Sequence, residues 1–241
     1  MKINRLLHET DLARTALLSK DEKRIQLRRI RDFVPTFSWS PFKHCLPGIF
    51  QARKSLLDLP KVTWADVEAA IRAKCKKHPN WLNGNIDLAR LMFDHVSRSG
   101  MKAREWSFGA LPVGHSSAVK FWPDFYCVED DRPLILHSDP RRGHGLTSLA
   151  RKFVFSSMYH HIATRSDFDS ALFKIAVFPV DDENDCRRIK LYQMREDELI
   201  DLDVLTAAIQ ETYQMWFEIL DEREREARRA SKGTGTGGLF G

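Results

Sequence analysis

The 241-residue chain has few cysteines and no long apolar run. Its cysteines, Cys45, Cys75, Cys127 and Cys186, are far apart and form no C-x-x-C pair. This spacing argues against a zinc ribbon and favours reduced thiols. No apolar stretch approaches the roughly 20 residues that cross a bilayer, and the charged N-terminus does not resemble a secretory signal. We therefore expect a cytoplasmic protein without a membrane partner.

Several motifs of well-known enzyme classes are also missing. The sequence contains no G-x-x-x-x-G-K-[ST], no G-x-G-x-x-G and no G-x-S-x-G pattern. Their absence argues against an ATPase, a dinucleotide-dependent enzyme and a nucleophile-elbow hydrolase. The hydrophobic fraction of 43% and the charged fraction of 29% are those of an ordinary globular protein.

Positive charge is concentrated near the N-terminus. Residues 1–60 contain 12 Lys/Arg and 6 Asp/Glu, whereas the remainder has 26 basic and 27 acidic residues. A local positive field attracts phosphate backbones. We therefore take four arginines of a predicted helix at 20–33 as candidate nucleic-acid contacts, with a solvated basic helix as the alternative: Arg24, Arg28, Arg29 and Arg31.

The hydrophobic periodicity predicts an α/β (α+β) fold. Apolar residues at helical spacing, with capping residues, predict helices over 63–77, from a cap at Asn85 to Gly100, from Thr147, and from Asp201 or Asp203. Alternating segments predict strands within 104–113, 123–139, 173–180 and 186–194. We divide the chain into a basic, mainly helical region (1–84), an α/β core (85–229) and a glycine-rich flexible tail (230–241).

The order of elements over about residues 85–195 resembles the core of the PD-(D/E)xK restriction-endonuclease-like superfamily. The residues that carry the resemblance are Pro123-Asp124 at the start of one strand and Asp139-Pro140-Arg141 at the end of the next. The resemblance implies a restriction-endonuclease-like mixed sheet flanked by helices. It also implies cleavage of nucleic-acid phosphodiesters with Mg²⁺ or Mn²⁺.

The spacing of the two aspartates can also be judged from strand geometry. A two-residue turn near Asp130 is expected to place Asp124 opposite Asp139 on one face of the hairpin. Two carboxylates so placed can hold Mg²⁺, which lowers the pKa of a bound water. The expectation depends on register, because a slip of one residue would turn the side chains to opposite faces.

The remaining site residues follow from the resemblance. Arg141 stands where the family has lysine; arginine can clamp a phosphate but cannot act as a titrating base. Either Arg141 acts at the site, or Lys152 supplies the cation, or the site is degenerate. The family places an acid on the preceding helix, for which Asp87 and Asp94 are available and Asp94 is taken as the metal ligand. Arg142 is a further candidate phosphate contact.

The sequence therefore predicts a metal-dependent nuclease, with DNA as the favoured partner. The resemblance suggests a role in bacterial defence or in a mobile element. One alternative is a non-catalytic subunit of the same fold that binds nucleic acid or protein. Another is an interaction protein that joins a larger assembly through its C-terminal helix and tail.

Overall fold

The computed structural model describes residues 6–30, 37–52, 61–114, 117–141, 145–181 and 186–233. Arg31, Arg142 and residues 234–241 of the tail, which carry sequence predictions, lie outside these ranges. The helices are α1 Glu9–Thr15, α2 Lys20–Arg29, α3 Ser40–Ile49, α4 Trp64–Cys75, α5 Leu82–Ser99, α6 Ser148–Met158 and α7 Leu202–Gly233. The strands are β1 Lys102–Glu105, β2 Leu111–Gly114, β3 Ser117–Val119, β4 Phe125–Glu129, β5 Arg132–Asp139, β6 Leu172–Val177 and β7 Lys190–Gln193.

Local capping fixes several helix ends. The predicted cap at Thr63 is confirmed: its side chain accepts from the Asp66 backbone N–H, and Asp66 accepts from the Thr63 N–H in return. Gly100 ends α5 with a left-handed φ of 66°, a conformation that glycine adopts at low cost. The expected cap at Asn85 is wrong, because α5 begins at Leu82 and Asn85 is buried inside it.

The strands form a five-stranded sheet in the order β1-β4-β5-β6-β7, with β2 and β3 paired separately. Only the β5–β6 pair of this sheet is parallel, and α6 lies in the connection between these two strands. The predicted mixed α/β class is thus confirmed. The segment 104–113, expected to be one β-like stretch, contributes to two different sheets through β1 and β2.

Two buried clusters cover the opposite faces of the sheet. Side chains alternate along β5, so Ile135 joins the first cluster while Leu134 and Leu136 join the second. Helices α1, α2, α6 and α7 contribute to the first cluster, and α3, α4 and α5 to the second. Each cluster contains residues from the predicted N-terminal region (1–84) and from the predicted core (85–229). The domain boundaries proposed from the sequence remain a prediction.

Within the described ranges, no helix combines the length and the apolar character of a bilayer-crossing segment.

Candidate functional site

Asp139 lies at the carboxyl end of β5 and is 2% exposed. Its carboxylate accepts hydrogen bonds from the Leu146 N–H at 2.8 Å and from the Arg141 N–H at 3.3 Å. A Cβ added at Gly145 would lie 3.4 Å from Asp139 Oδ2, so little space separates this segment from the carboxylate. Asp139 therefore stabilises the connection between β5 and α6 through these two hydrogen bonds.

Asp124 occupies a different environment. Its side chain is 62% exposed and forms an ion pair with Lys120. The turn does contain two residues, Asp130 and Asp131, but Glu129 then pairs with Arg132. The pairing of β4 with β5 ends at Cys127 and Leu134, and the same register continued backwards would set position 124 opposite position 137. The expected opposition of Asp124 and Asp139 is therefore wrong by two residues.

Two of the other predicted site residues, Arg141 and Asp94, form ion pairs with residues outside the predicted site. Arg141 lies 3.4 Å from Asp11 of α1, and Asp94 pairs with Arg90 along α5 at 3.1 Å. Lys152 contributes weakly to lowering the pKa of Asp197, for which the hydrogen bond from Arg195 is the main cause. In the part of the chain that the structure describes, no three His, Cys, Asp or Glu side chains converge as metal ligands. The requirement for Mg²⁺ or Mn²⁺ and the catalytic roles remain predictions.

The basic helix α2 faces glutamates of α7. Arg24 lies 2.5 Å from Glu222 and 3.5 Å from Glu218, and Arg28 lies 2.7 Å from Glu222. The Arg28 hydrogen bond is the largest cause that lowers the pKa of Glu222, followed by burial, which raises it, and by the charge of Arg24, which lowers it. Much of the α2 charge is therefore compensated within the fold.

The pairing between α2 and α7 joins helices that are distant in the sequence, and short sequence patterns did not predict it. Lys23 is 1% exposed and pairs with Glu211 on α7. Glu211, Glu218 and Glu222 are spaced by 7 and 4 residues, which places them on one face of a helix. That acidic stripe was the available signal, because a row of carboxylates on one helix face can pair with a basic helix such as α2. Arg29, by contrast, is exposed on α2.

A groove of about 380 Å³ opens between α1, β3 and α7. Its lining combines acidic groups at the start of α1 with apolar side chains: Leu6, Leu7, His8, Glu9, Asp11, Ile30, Ala118, Val119 and Trp216. Nearby, the Tyr213 hydroxyl is buried and has no hydrogen-bond partner among the described residues. Burial, with a smaller contribution from Glu9, raises the pKa of Tyr213 to about 12.

His137 is partly enclosed in β5, two residues before Asp139. Its Nδ1 lies 2.5 Å from the Phe121 carbonyl oxygen, so the neutral ring donates Nδ1–H to that oxygen. Burial lowers the pKa of His137 to about 4, although the hydrogen bond to Phe121 and the charge of Asp139 oppose this shift. The folded protein therefore favours the neutral imidazole.

The low pKa of His137 predicts acid-dependent stability. Since the folded-state pKa lies below the usual value of 6.5, the unfolded chain binds the proton first as the pH falls. The stabilisation is complete above pH 6.5 and is lost progressively toward pH 4. We expect His137→Asn, which keeps an N–H donor, to reduce the stability lost between pH 6.5 and 5 by about 1 kcal/mol. Urea unfolding at both pH values measures this, and equal losses in both proteins would contradict it.

Comparison with known proteins gives a consistent assignment. Residues 10–226 match the family described as "Sliding clamp-binding bacterial toxin SocB". The chain is also 35% identical over 241 residues to the DNA replication inhibitor toxin SocB of Caulobacter vibrioides (strain NA1000 / CB15N), covering 100% of this chain and 98% of that protein. No solved structure matches the chain significantly.

These matches correct the sequence-based assignment. The resemblance to the PD-(D/E)xK superfamily rested on two short aspartate motifs, and the family match covers the same region without any nuclease family. The predicted metal-dependent nuclease and its hydrolase chemistry are therefore wrong, and the matches give no support to nucleic acid as the main partner. The chain belongs to the SocB family of sliding clamp-binding bacterial toxins.

Proposed function

We propose that this chain inhibits DNA replication by binding the sliding clamp. The observation that carries the proposal is the extent of the similarity. It spans the whole chain at 35% identity, and the family match runs from α1 well into α7. A clamp-binding inhibitor acts where the chromosome is replicated, which agrees with the cytoplasmic location expected from the cysteines.

Inhibition of this kind requires binding but no bond cleavage. A protein that occupies a surface of the clamp blocks other proteins that need the same surface, and its effect depends on stoichiometry and affinity. The contacts of the residues once assigned to catalysis are compatible with this mode. Asp139 accepts backbone N–H groups, Asp124 pairs with Lys120, and Arg141 lies beside Asp11.

A direct binding measurement tests the proposal. We expect the purified full chain to bind the sliding clamp of the same bacterium saturably, with a dissociation constant of about 1 μM or below, corresponding to at least ~8 kcal/mol of binding free energy. Isothermal titration calorimetry gives both affinity and stoichiometry. Circular dichroism establishes that the chain is folded in the same sample. A folded chain that shows no clamp binding at tens of micromolar would contradict the proposal.

A further inference from the structure

Positive charge that has no ion-pair partner among the described residues lies at the end of α4. Lys74, Lys76 and Lys77 are all exposed. None forms an ion pair with another described residue, whereas Arg72 nearby pairs with Glu68 at 2.6 Å. The sequence contains no Asp or Glu from position 69 to position 86, so the local chain supplies no compensating charge. This lysine patch differs from α2, where Arg24 and Arg28 face glutamates of α7.

The backbone beneath the lysine patch is well fixed. Cys75 is buried between the lysines, and its carbonyl oxygen accepts from the His78 N–H at 2.8 Å. A short 3₁₀ turn follows, in which the Trp81 N–H donates to the His78 carbonyl at 3.0 Å. The rings of His78 and Trp81 stack with centroids 4.0 Å apart. The backbone that carries the three lysines therefore has a defined conformation.

Helix stability alone does not account for three lysines at this point. A cation in the last turn interacts favourably with the helix dipole, by about 0.3–1 kcal/mol. Lys74, Lys76 and Lys77 lie within four consecutive positions. Their charges repel one another, because the separation is below the screening length of about 10 Å at 0.1 M salt. An acidic surface facing the patch would relieve that repulsion.

We propose that Lys74, Lys76 and Lys77 form an electrostatic docking patch for an acidic surface of the partner protein; this inference rests on the proposed clamp binding. The charge arrangement favours a protein surface over duplex DNA. Helices α2 and α4 belong to clusters on opposite faces of the sheet, so their basic residues do not form one continuous stripe. A duplex contact of high affinity uses an extended basic surface that follows the phosphates.

Charge at an interface acts mainly on the association rate and on its salt dependence. We therefore expect the triple variant K74A/K76A/K77A to associate with the clamp about 10-fold more slowly at low salt. Its dissociation rate should stay within about two-fold of wild type, because rim charges contribute little once the complex has formed. Stopped-flow association and surface plasmon resonance measure the two rates over 25–300 mM NaCl, which spans strong and weak screening.

A matched variant controls for net charge. K20A/K102A/R225A removes the same three charges from exposed positions on α2, β1 and α7, and its association rate should stay within about two-fold of wild type. Melting curves of both variants, and of K74Q/K76Q/K77Q, establish that the fold is retained. Wild-type association rate and salt dependence in the folded patch variants would overturn the inference.

Two further outcomes separate the inference from the proposed function. Absence of wild-type clamp binding contradicts the proposed function itself, and the patch loses its partner with it. If the wild type binds the clamp and the triple variant loses affinity only for a random-sequence 20-base-pair duplex, the patch contacts DNA and the inference is overturned. Slower clamp association with unchanged duplex binding supports the inference.

Discussion

Asp139→Ala is expected to lower the free energy of unfolding by about 4 kcal/mol, because two hydrogen bonds to a buried carboxylate are lost. Asp139 is 2% exposed, and it accepts the backbone N–H groups of Leu146 and Arg141. Without the carboxylate, the Leu146 N–H remains buried and has no acceptor, and the connection from β5 to α6 loses its anchor. Urea denaturation followed by circular dichroism measures the change.

Asp124→Ala is the matched control for Asp139. Its side chain is 62% exposed and pairs with the partly exposed Lys120, and exposed ion pairs contribute about 0–1 kcal/mol. A small change for Asp124→Ala beside a large change for Asp139→Ala, both unaffected by EDTA, is the expected pattern. Equal changes in the two variants, or a loss in Asp139→Ala that appears only when Mg²⁺ is present and disappears with EDTA, would refute the structural role of Asp139.

Glu211→Ala is expected to destabilise the protein by about 3 kcal/mol, because it leaves a buried ammonium without its counterion. The Lys23 side chain is 1% exposed, and the Glu211 side chain is 48% exposed. The partial exposure of Glu211 places the expected loss at the lower end of the range for buried pairs. Thermal and urea unfolding give the free-energy change.

A double variant separates the unpaired charge from general damage to α7. Lys23→Met keeps an apolar stem of similar length and removes the cation, and such replacements of buried pairs cost little. We expect Lys23→Met/Glu211→Ala to regain most of the stability lost in Glu211→Ala. If the double variant is as unstable as Glu211→Ala, the loss does not come from the ammonium of Lys23.

Local sequence patterns were sufficient for much of the fold. The capping pair at Thr63 and Asp66 and the glycine at position 100 mark true helix ends. Alternation along β5 separates Leu134 from Ile135, and these residues belong to different buried clusters. Such features depend on residues a few positions apart, and for that reason the mixed α/β class was predictable.

The functional site could not be predicted in the same way, because it depends on strand register and on contacts between residues that are far apart in the sequence. The hairpin turn was placed correctly at Asp130 and Asp131, but the pairing differs by two residues from the expected register. Asp124 lies in an exposed ion pair with Lys120, whereas Asp139 is buried. The charge of α2 looked available for nucleic acid because its acidic partners on α7 lie far away in the sequence, from 188 residues for Lys23 and Glu211 to 198 residues for Arg24 and Glu222. A degenerate aspartate motif contains no information about these tertiary contacts, and the site predicted from it was therefore unreliable.

Primer extension by the replicative polymerase on a primed circular template with a loaded sliding clamp tests the proposed inhibition of replication most directly. We expect the full chain to stop clamp-dependent extension in proportion to its concentration. Excess free clamp should restore extension, and the template should remain intact with Mg²⁺ present. Inhibition that excess clamp does not relieve, or that is accompanied by cleavage of the template, would contradict a replication inhibitor that acts by binding the clamp.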